Sequence, residues 1–229
     1  MYVREIENKT LTFIVSGMLW RNSLIMQDTR TASYWSHITG EALLGDFKGK
    51  RLAFIPLVQT SWAQWRKDHP ETYLLKKDKM VLSSRYENYF KDPDRAGLFR
   101  TNWLMEQMPA KEMVHGITSG PHALAVPKNR LKLGIPVQTT LGEREILIIR
   151  SEDGGVKAYQ AEIENQKLSF DITTKNFFIK DQETDSLWDL RIGECIEGEF
   201  AGRKLTEIQV LDAFWFAWSS FYPNTRVLD

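Results

Sequence analysis

The hydrophobic pattern of the chain is mainly that of β-strands. Apolar and polar residues alternate, or β-branched residues cluster, in short stretches separated by Gly, Asp and Pro. Before residue 112 these stretches predict strands at residues 10–15, 51–57 and 72–75. From residue 112 onward they are denser and predict strands at residues 114–118, 122–126, 135–139, 145–150, 156–163, 167–173 and 225–228. A mainly β fold follows from this pattern.

Two segments have a helical spacing instead. Trp62 and Trp65 lie three residues apart, after two hydroxyl residues that can cap a helix, and they predict a helix at residues 60–68. The same spacing of tryptophans recurs in residues 212–220, where Asp212 stands at the predicted helix start. We expect each helix to bury both of its tryptophans against its own sheet, because tryptophan is strongly buried on average.

The two helical segments belong to an internal repeat. Sliding the chain by 153 positions aligns residues 28–75 with residues 181–228 without a gap and matches 16 of 48 residues. Chance would give about three matches on average residue usage. The repeat predicts a mainly β (α+β) fold of two homologous β-rich lobes, each with one short helix. We place the lobes at residues 1–75 and 112–229, with residues 76–111 as an ordered clasp between them.

The first lobe is predicted to be incomplete. Ahead of residue 28 the repeat continues at an offset of 157, which aligns Leu11 with Leu168 and Phe13 with Phe170. At this offset Met1 aligns with Ala158 in the middle of a predicted strand, so residues 112–157, about four strands, should have no counterpart in the first lobe. The first lobe should therefore present an unpaired strand edge and an apolar face. Such surfaces attract another strand or an apolar partner, so we expect self-association or a partner strand there.

Aromatic residues outside the repeat mark a candidate ligand-binding groove between the lobes. The clasp is rich in aromatic side chains, with a predicted helical turn at residues 102–108, and the first lobe carries an apolar loop at residues 18–20. Deep apolar grooves are the usual sites of ligand binding. The candidate ligand-binding residues are Trp20, Trp35, Tyr86, Trp103 and Trp188, although for the repeated tryptophans a core position is the favoured interpretation.

Composition excludes several classes of function. Thirty basic and thirty acidic residues cancel, so no overall field favours nucleic acid, and no apolar run is long enough to span a membrane. The single Cys195 excludes an internal disulfide and a cysteine-based zinc site, and it aligns with Ala42, which favours a packed core residue. No nucleotide-binding, zinc-protease or hydrolase motif is present, and we expect no cofactor. The chain as written has no export signal, which predicts a cytoplasmic protein.

The histidines give two candidate chemical sites. His115 and His122 should lie on opposing strands of one hairpin, a two-ligand start for a metal site that no nearby acid or cysteine completes. His37 lies close to Glu41 and aligns with a leucine, so this pair is the candidate for acid-base catalysis. In both cases a surface or turn residue is the favoured interpretation, and the repeated acids Asp28 and Asp181 are assigned to turns.

The repeated residues also carry a resemblance to a known family. Read as a string, they are Asp28-x-x-Thr31-x-Ser33-x-Trp35, Gly40-Glu41, Gly45-x-x-x-Gly49 and Trp62-x-x-Trp65-x-x-x-x-Pro70, each recurring in the second copy. This resembles the uncharacterised bacterial and archaeal family catalogued as domain of unknown function number three thousand one hundred and seventy-nine. The resemblance implies a segment with a Cys-Pro-x-Cys motif ahead of this chain's start, and an extracytoplasmic location where a signal precedes it.

Two hypotheses for function remain open from the sequence. The leading one is a non-catalytic binding or scaffold protein whose inter-lobe groove holds a ligand or partner. The alternative is an enzyme, or a metal- or thiol-dependent protein, whose reactive residues lie mostly in the implied N-terminal segment. In that case His37 and Glu41 would be residual site residues.

Overall fold

The computed structural model describes residues 1–57, 59–75, 87–93, 95–97 and 107–229. The fold is mainly β, as the sequence predicts, with 42% of the described residues in strands and 11% in helices. Before residue 112 the elements are β1 (Glu5–Ile6), β2 (Lys9–Thr10), β3 (Phe13–Trp20), β4 (Ser23–Asp28), β5 (Tyr34–Ser36), β6 (Ala42–Leu44), α1 (Trp62–Asp68) and α2 (Glu87–Lys91).

The strands that follow residue 112 are more numerous. They are β7 (Met113–Ser119), β8 (His122–Pro127), β9 (Val137–Leu141), β10 (Arg144–Arg150), β11 (Val156–Gln160), β12 (Glu162–Ile163), β13 (Gln166–Lys167), β14 (Phe170–Ile172), β15 (Phe178–Asp181), β16 (Leu187–Asp189), β17 (Glu194–Glu197), β18 (Glu207–Ile208), β19 (Val210–Phe214) and β20 (Arg226–Val227). The helix α3 (Trp215–Phe221) follows β19, and a 3-10 turn (Lys128–Arg130) follows β8.

The same antiparallel meander occurs twice, once in residues 1–75 and once in residues 112–229, the ranges of the two predicted lobes. In the first lobe the strand order is β3-β4-β5-β6, and in the second it is β14-β15-β16-β17. A two-stranded hairpin precedes each meander, β1-β2 in one lobe and β12-β13 in the other. Two further four-stranded sheets, β18-β11-β10-β9 and β19-β7-β8-β20, are built wholly from residues 112–229. They contain the strands β7–β11, and the described residues of 1–75 form no comparable sheet.

A buried carboxylate organises each meander. Asp28 accepts hydrogen bonds from the backbone nitrogen of Thr31 at 2.6 Å and from Nε1 of Trp35 at 3.0 Å. In the second lobe Asp181 accepts from the backbone nitrogen of Thr184 at 2.6 Å and from Nε1 of Trp188 at 2.8 Å. These equivalent contacts support the predicted duplication, which itself stays a prediction, and they confirm that the acids have a local structural role.

The prediction of an apolar loop at residues 18–20 is wrong. These residues extend β3, with a shift in register between Val15 and Leu19 that accommodates the extra length. The turn of the hairpin is Arg21-Asn22, where φ is 52° and 58°, the left-handed conformation that a two-residue hairpin turn requires. The tip reaches the second lobe, where the rings of Trp20 and Phe221 pack edge to face at 5.0 Å.

The two predicted helices form, but their surroundings differ. Ser61 is the N-cap of α1, since its side chain accepts from the backbone nitrogen of Gln64. The prediction that Asp212 caps the second helix is wrong, because this residue lies within β19, ahead of α3. The prediction of a strand at residues 72–75 is also wrong. Its counterpart β20 forms because it pairs with β8, and the described part of the first lobe contains no strand equivalent to β8.

Burial of the tryptophans follows the same difference. Trp215 and Trp218 of α3 are 0% and 1% exposed, whereas Trp62 and Trp65 of α1 are 47% and 41% exposed. The expectation that α1 buries both of its tryptophans is therefore wrong. In the second lobe α3 packs against β7, and in the described part of the first lobe no strand takes that place.

Candidate functional site

A cleft opens where α1 of the first lobe faces β19 of the second. Its apolar compartment, with a cavity volume of about 670 Å³, is lined on one side by Met1, Phe54, Leu57, Trp62 and Trp65 and on the other by Val210 and Leu211. A volume of this size is typical of ligand-binding cavities. None of the aromatic residues predicted to form the inter-lobe groove is among these lining residues, so that groove stays a prediction.

A polar compartment adjoins the apolar one. It has a cavity volume of about 320 Å³ and shares the residues Gln59, Thr60, Ser61 and Asp212 with the apolar compartment. Its further lining consists of Met113, His115, Lys128, Arg150, Asp153 and Gly154. The cleft is therefore a single depression with an apolar end and a charged end.

The polar compartment is organised by a histidine-aspartate pair. Strands β7 and β19 run antiparallel with His115 directly opposite Asp212, which places Nδ1 of His115 2.5 Å from Oδ1 of Asp212. His115 is only 4% exposed. A carboxylate at Nδ1 holds the proton on that nitrogen and leaves Nε2 as the remaining hydrogen-bonding atom of the ring. The pair can bind a polar group or exchange a proton with it.

The hydroxyl of Ser61 and the carboxylate of Asp153, which also line the compartment, already have structural partners. Asp153 accepts hydrogen bonds from Oγ of Ser151 at 2.5 Å and from the backbone nitrogen of Gly155 at 2.9 Å, and so closes a turn. The hydroxyl of Ser61 caps α1. Neither group is positioned as a nucleophile beside His115, because each is engaged with its own local backbone.

His115 and His122 do not converge on a metal site. They lie on paired strands, as predicted, but His115 is opposite Val126, while His122 is opposite Ser119 at the exposed end of the hairpin. Within the described ranges, no group of three or more His, Cys, Asp or Glu residues is placed to hold a metal ion.

His37 and Glu41 have separate partners. Nδ1 of His37 lies 2.7 Å from the backbone oxygen of Leu24, and Oε2 of Glu41 accepts from the guanidinium of Arg51 at 2.8 Å. The two side chains are not hydrogen bonded to each other among the described contacts. The geometry therefore favours the structural interpretation of His37, a residue that ties the β5 end of the meander to β4.

Exchange of His37 for leucine is expected to lower the free energy of unfolding by about 1 kcal/mol, the usual net value of one hydrogen bond. The second lobe has Leu190 at the equivalent position, so the site tolerates an apolar side chain. Urea denaturation followed by circular dichroism measures the change. A loss of several kcal/mol would instead assign His37 a larger role in the core.

Of the predicted aromatic ligand residues, the three that the structure describes do not line the cleft. Trp35 and Trp188 are fully buried in the two meanders and have no surface to offer a ligand. Trp20 packs on Phe221, as described above. Tyr86 and Trp103, and with Trp103 most of the helical turn predicted at residues 102–108, lie outside the described residues.

Cys195 is a core residue. Its side chain is completely buried, and burial raises the pKa of the thiol above its ordinary value. A thiol with a raised pKa is a weak nucleophile, because the thiolate is the reactive form. This agrees with the interpretation of Cys195 as a packed small residue.

The sequence did not reveal the polar compartment. His115 was a candidate, but its partner lies 97 residues away, and Asp212 was assigned to a helix cap. One signal was available: Asp212 aligns with Gln59 in the repeat, so the second lobe carries an acid where the first carries an amide. Arg150 and Thr60 gave no signal of a ligand site. Arg150 is the last residue of a predicted strand, and Thr60 was a candidate helix cap.

Comparison with known proteins gives one match. A family model described as "Protein of unknown function (DUF3179)" matches residues 1–225. No curated protein and no solved structure matches the chain. None of the helices in the described ranges has the length and apolar character needed to cross a lipid bilayer.

Proposed function

The chain belongs to the DUF3179 family of proteins of unknown function, and we propose that it is a non-catalytic binding protein whose apolar compartment holds a β-hairpin of a partner polypeptide. The observation that carries the proposal is the exposure of Trp62 and Trp65, at 47% and 41%, on a helix whose counterpart buries the equivalent tryptophans. Exposed apolar patches of this kind are typical of interaction sites.

The second lobe shows what covers such a helix. There α3 lies on β7, and the ring of Trp218 occupies the space that a Cβ atom on Gly116 would need. The helices are otherwise alike: Nε1 of Trp218 donates to Oγ1 of Thr225 at 2.9 Å, and Nε1 of Trp65 donates to Oγ1 of Thr72 at 3.0 Å. The two helices are therefore alike, and the lobes differ in whether a strand packs against the helix.

The segments on either side of α1 could pair with the strands of such a hairpin. In the second lobe β7 pairs antiparallel with β19, and β8 pairs parallel with β20. The equivalents of these strands are residues 57–61 and residues 73–74 of the first lobe, and their described residues belong to no sheet. Tyr73 and Leu74 are 98% and 73% exposed. Free strand edges bind further strands through backbone hydrogen bonds.

These features define the chemistry of the partner. One strand would run antiparallel to residues 57–61 with a glycine beneath Trp65, and the next would run parallel to residues 73–74. A second copy of this chain is a poor source, because its own β7–β8 hairpin is already paired on both edges by β19 and β20. The proposal therefore places the hairpin on a different polypeptide.

A peptide of residues 112–127, which copies the hairpin that covers α3, tests the proposal. We expect it to bind the intact chain saturably in calorimetry and to reduce acrylamide quenching of tryptophan fluorescence. A peptide with Gly116→Val should bind at least tenfold more weakly, because the added side chain collides with a tryptophan ring. The protein variant Trp65→Ala should lose binding to a similar degree.

The matched control is Ile172→Ala, which removes an apolar side chain that is 62% exposed and lies in the second lobe. It should bind the peptide as the wild type does. Equal binding of the two peptides, or full binding to Trp65→Ala, would contradict the hairpin proposal. A dimer that light scattering detects and that Trp65→Ala abolishes would identify a second copy as the occupant.

The alternative proposal, an enzyme, has the His115 and Asp212 pair as its support. A histidine held by a carboxylate is common in acid-base sites. In the described part of the cleft, however, the hydroxyl of Ser61 and the carboxylate of Asp153 are engaged in local structure, and Cys195 is buried elsewhere. The binding function is therefore the better supported of the two.

A further inference from the structure

We propose that the polar compartment is a binding site for a small oxyanion, a carboxylate or a phosphate group, held between Arg150 of the second lobe and Thr60 of the first. This site adjoins the hairpin surface, because Thr60 belongs to residues 57–61, with which the hairpin would pair. Titration of an anion in the absence of any partner tests the two proposals separately.

Two buried polar atoms without partners mark the site. Nε of Arg150 and Oγ1 of Thr60 are buried, and neither has a hydrogen-bond partner within the described structure. Both residues line the polar compartment, although they come from different lobes. Buried polar groups in folded proteins are almost always hydrogen bonded, so two unpaired polar atoms beside one cavity make it a candidate binding site for a polar ligand.

The charges around the compartment favour an anion. Its two carboxylates are already engaged, Asp212 with His115 and Asp153 with the turn at Ser151 and Gly155. Its cations are Arg150 and Lys128, and neither forms an ion pair among the described residues. An entering anion would therefore meet two uncompensated positive charges, while the negative charges are partly neutralised by their hydrogen-bond donors.

Arg150 is well placed to bind a planar oxyanion. Its backbone is fixed at the end of β10, where its carbonyl oxygen accepts from the backbone nitrogen of Gly134 at 3.0 Å. The guanidinium presents donors in a fork that matches two oxygens of a carboxylate or phosphate. Because Nε of Arg150 is also buried, packing already restricts the side chain, and less ordering remains when the anion binds.

His115 and Thr60 provide the remaining contacts. Because Nδ1–H of His115 is directed at Asp212, Nε2 is an acceptor and can receive a hydrogen bond from a protonated oxygen of the ligand. The hydroxyl of Thr60 can donate to an ionised oxygen of the ligand. The cavity volume of about 320 Å³ is sufficient for a small oxyanion. The ligand class is thus a short carboxylate or a phosphate monoester.

Inorganic phosphate and malonate are the two probes, titrated by calorimetry into the intact chain at constant ionic strength set with sodium chloride. We expect saturable binding of at least one probe. Arg150→Gln should weaken it at least tenfold, and Thr60→Val should weaken it severalfold without loss of volume. The probe that binds more tightly distinguishes a phosphate ligand from a carboxylate ligand.

Arg144→Gln is the matched control, because Arg144 is exposed at the other end of the same strand and does not line the cleft. It should bind as the wild type does, and so should Trp65→Ala. Arg150→Gln should fold normally, since its side chain has no partner to lose, and circular dichroism checks this. Absence of saturable binding of both probes, or equal binding by Arg150→Gln and wild type, would overturn the proposal.

Discussion

Replacement of Trp218 with alanine is expected to lower the free energy of unfolding by about 3–5 kcal/mol, the range for removing a large buried aromatic side chain. The same change at Trp65 is expected to cost less than about 1 kcal/mol, as substitutions of half-exposed residues usually do. The two residues align in the repeat, and each donates a hydrogen bond from Nε1 to a threonine hydroxyl. The pair of variants therefore measures the contribution of the strand cover alone.

Urea denaturation followed by far-ultraviolet circular dichroism is the appropriate measurement, because the variants differ from wild type in tryptophan fluorescence. A loss at Trp65 as large as that at Trp218 would show that α1 is covered in solution. Two transitions in the wild type, of which Trp218→Ala shifts only one, would show in addition that the lobes unfold separately.

The features that the sequence predicted correctly depend on residues close together in the chain. The contacts of Asp28 with Thr31 and Trp35 span seven residues, and those of Asp181 with Thr184 and Trp188 span the same distance. Such turns are determined by local hydrogen bonding, so a repeated string of residues predicts a repeated structure. The cap at Ser61 is of the same kind.

The features that the sequence did not predict depend on pairing between distant strands. The spacing of Trp62 and Trp65 predicts a helix, but burial of that helix depends on whether a strand lies beneath it. The polar compartment depends on the register of β7 against β19, which brings His115 opposite Asp212. A shift of one residue would turn these side chains to opposite faces, and nothing local fixes that register.

The second large effect is expected at the buried carboxylate of the first lobe. Asp28→Asn is expected to lower the free energy of unfolding by about 2–4 kcal/mol at pH 7. Asp28 is fully buried and accepts from the backbone nitrogens of Arg30 and Thr31 and from Nε1 of Trp35. In asparagine an NH2 group replaces one of the two carboxylate oxygens. The N–H groups that donated to that oxygen would then have no acceptor. Asp181→Asn, with equivalent contacts in the second lobe, should show a loss of similar size.

The effect of Asp28→Asn should depend on pH in a defined direction. Burial alone would raise the pKa of Asp28, but the hydrogen bonds from Trp35, Thr31 and Arg30 outweigh it and hold the pKa below its ordinary value. A carboxylate whose pKa is lower in the folded state contributes stability that is present above its unfolded pKa, about 3.9, and is lost as pH falls through the folded pKa. The stability gap between wild type and Asp28→Asn should therefore be constant from about pH 5 to pH 7 and narrow below pH 4. Urea midpoints measured at intervals from pH 3 to pH 7 test this, and a gap that widens toward pH 3 would show that Asp28 is protonated in the folded lobe.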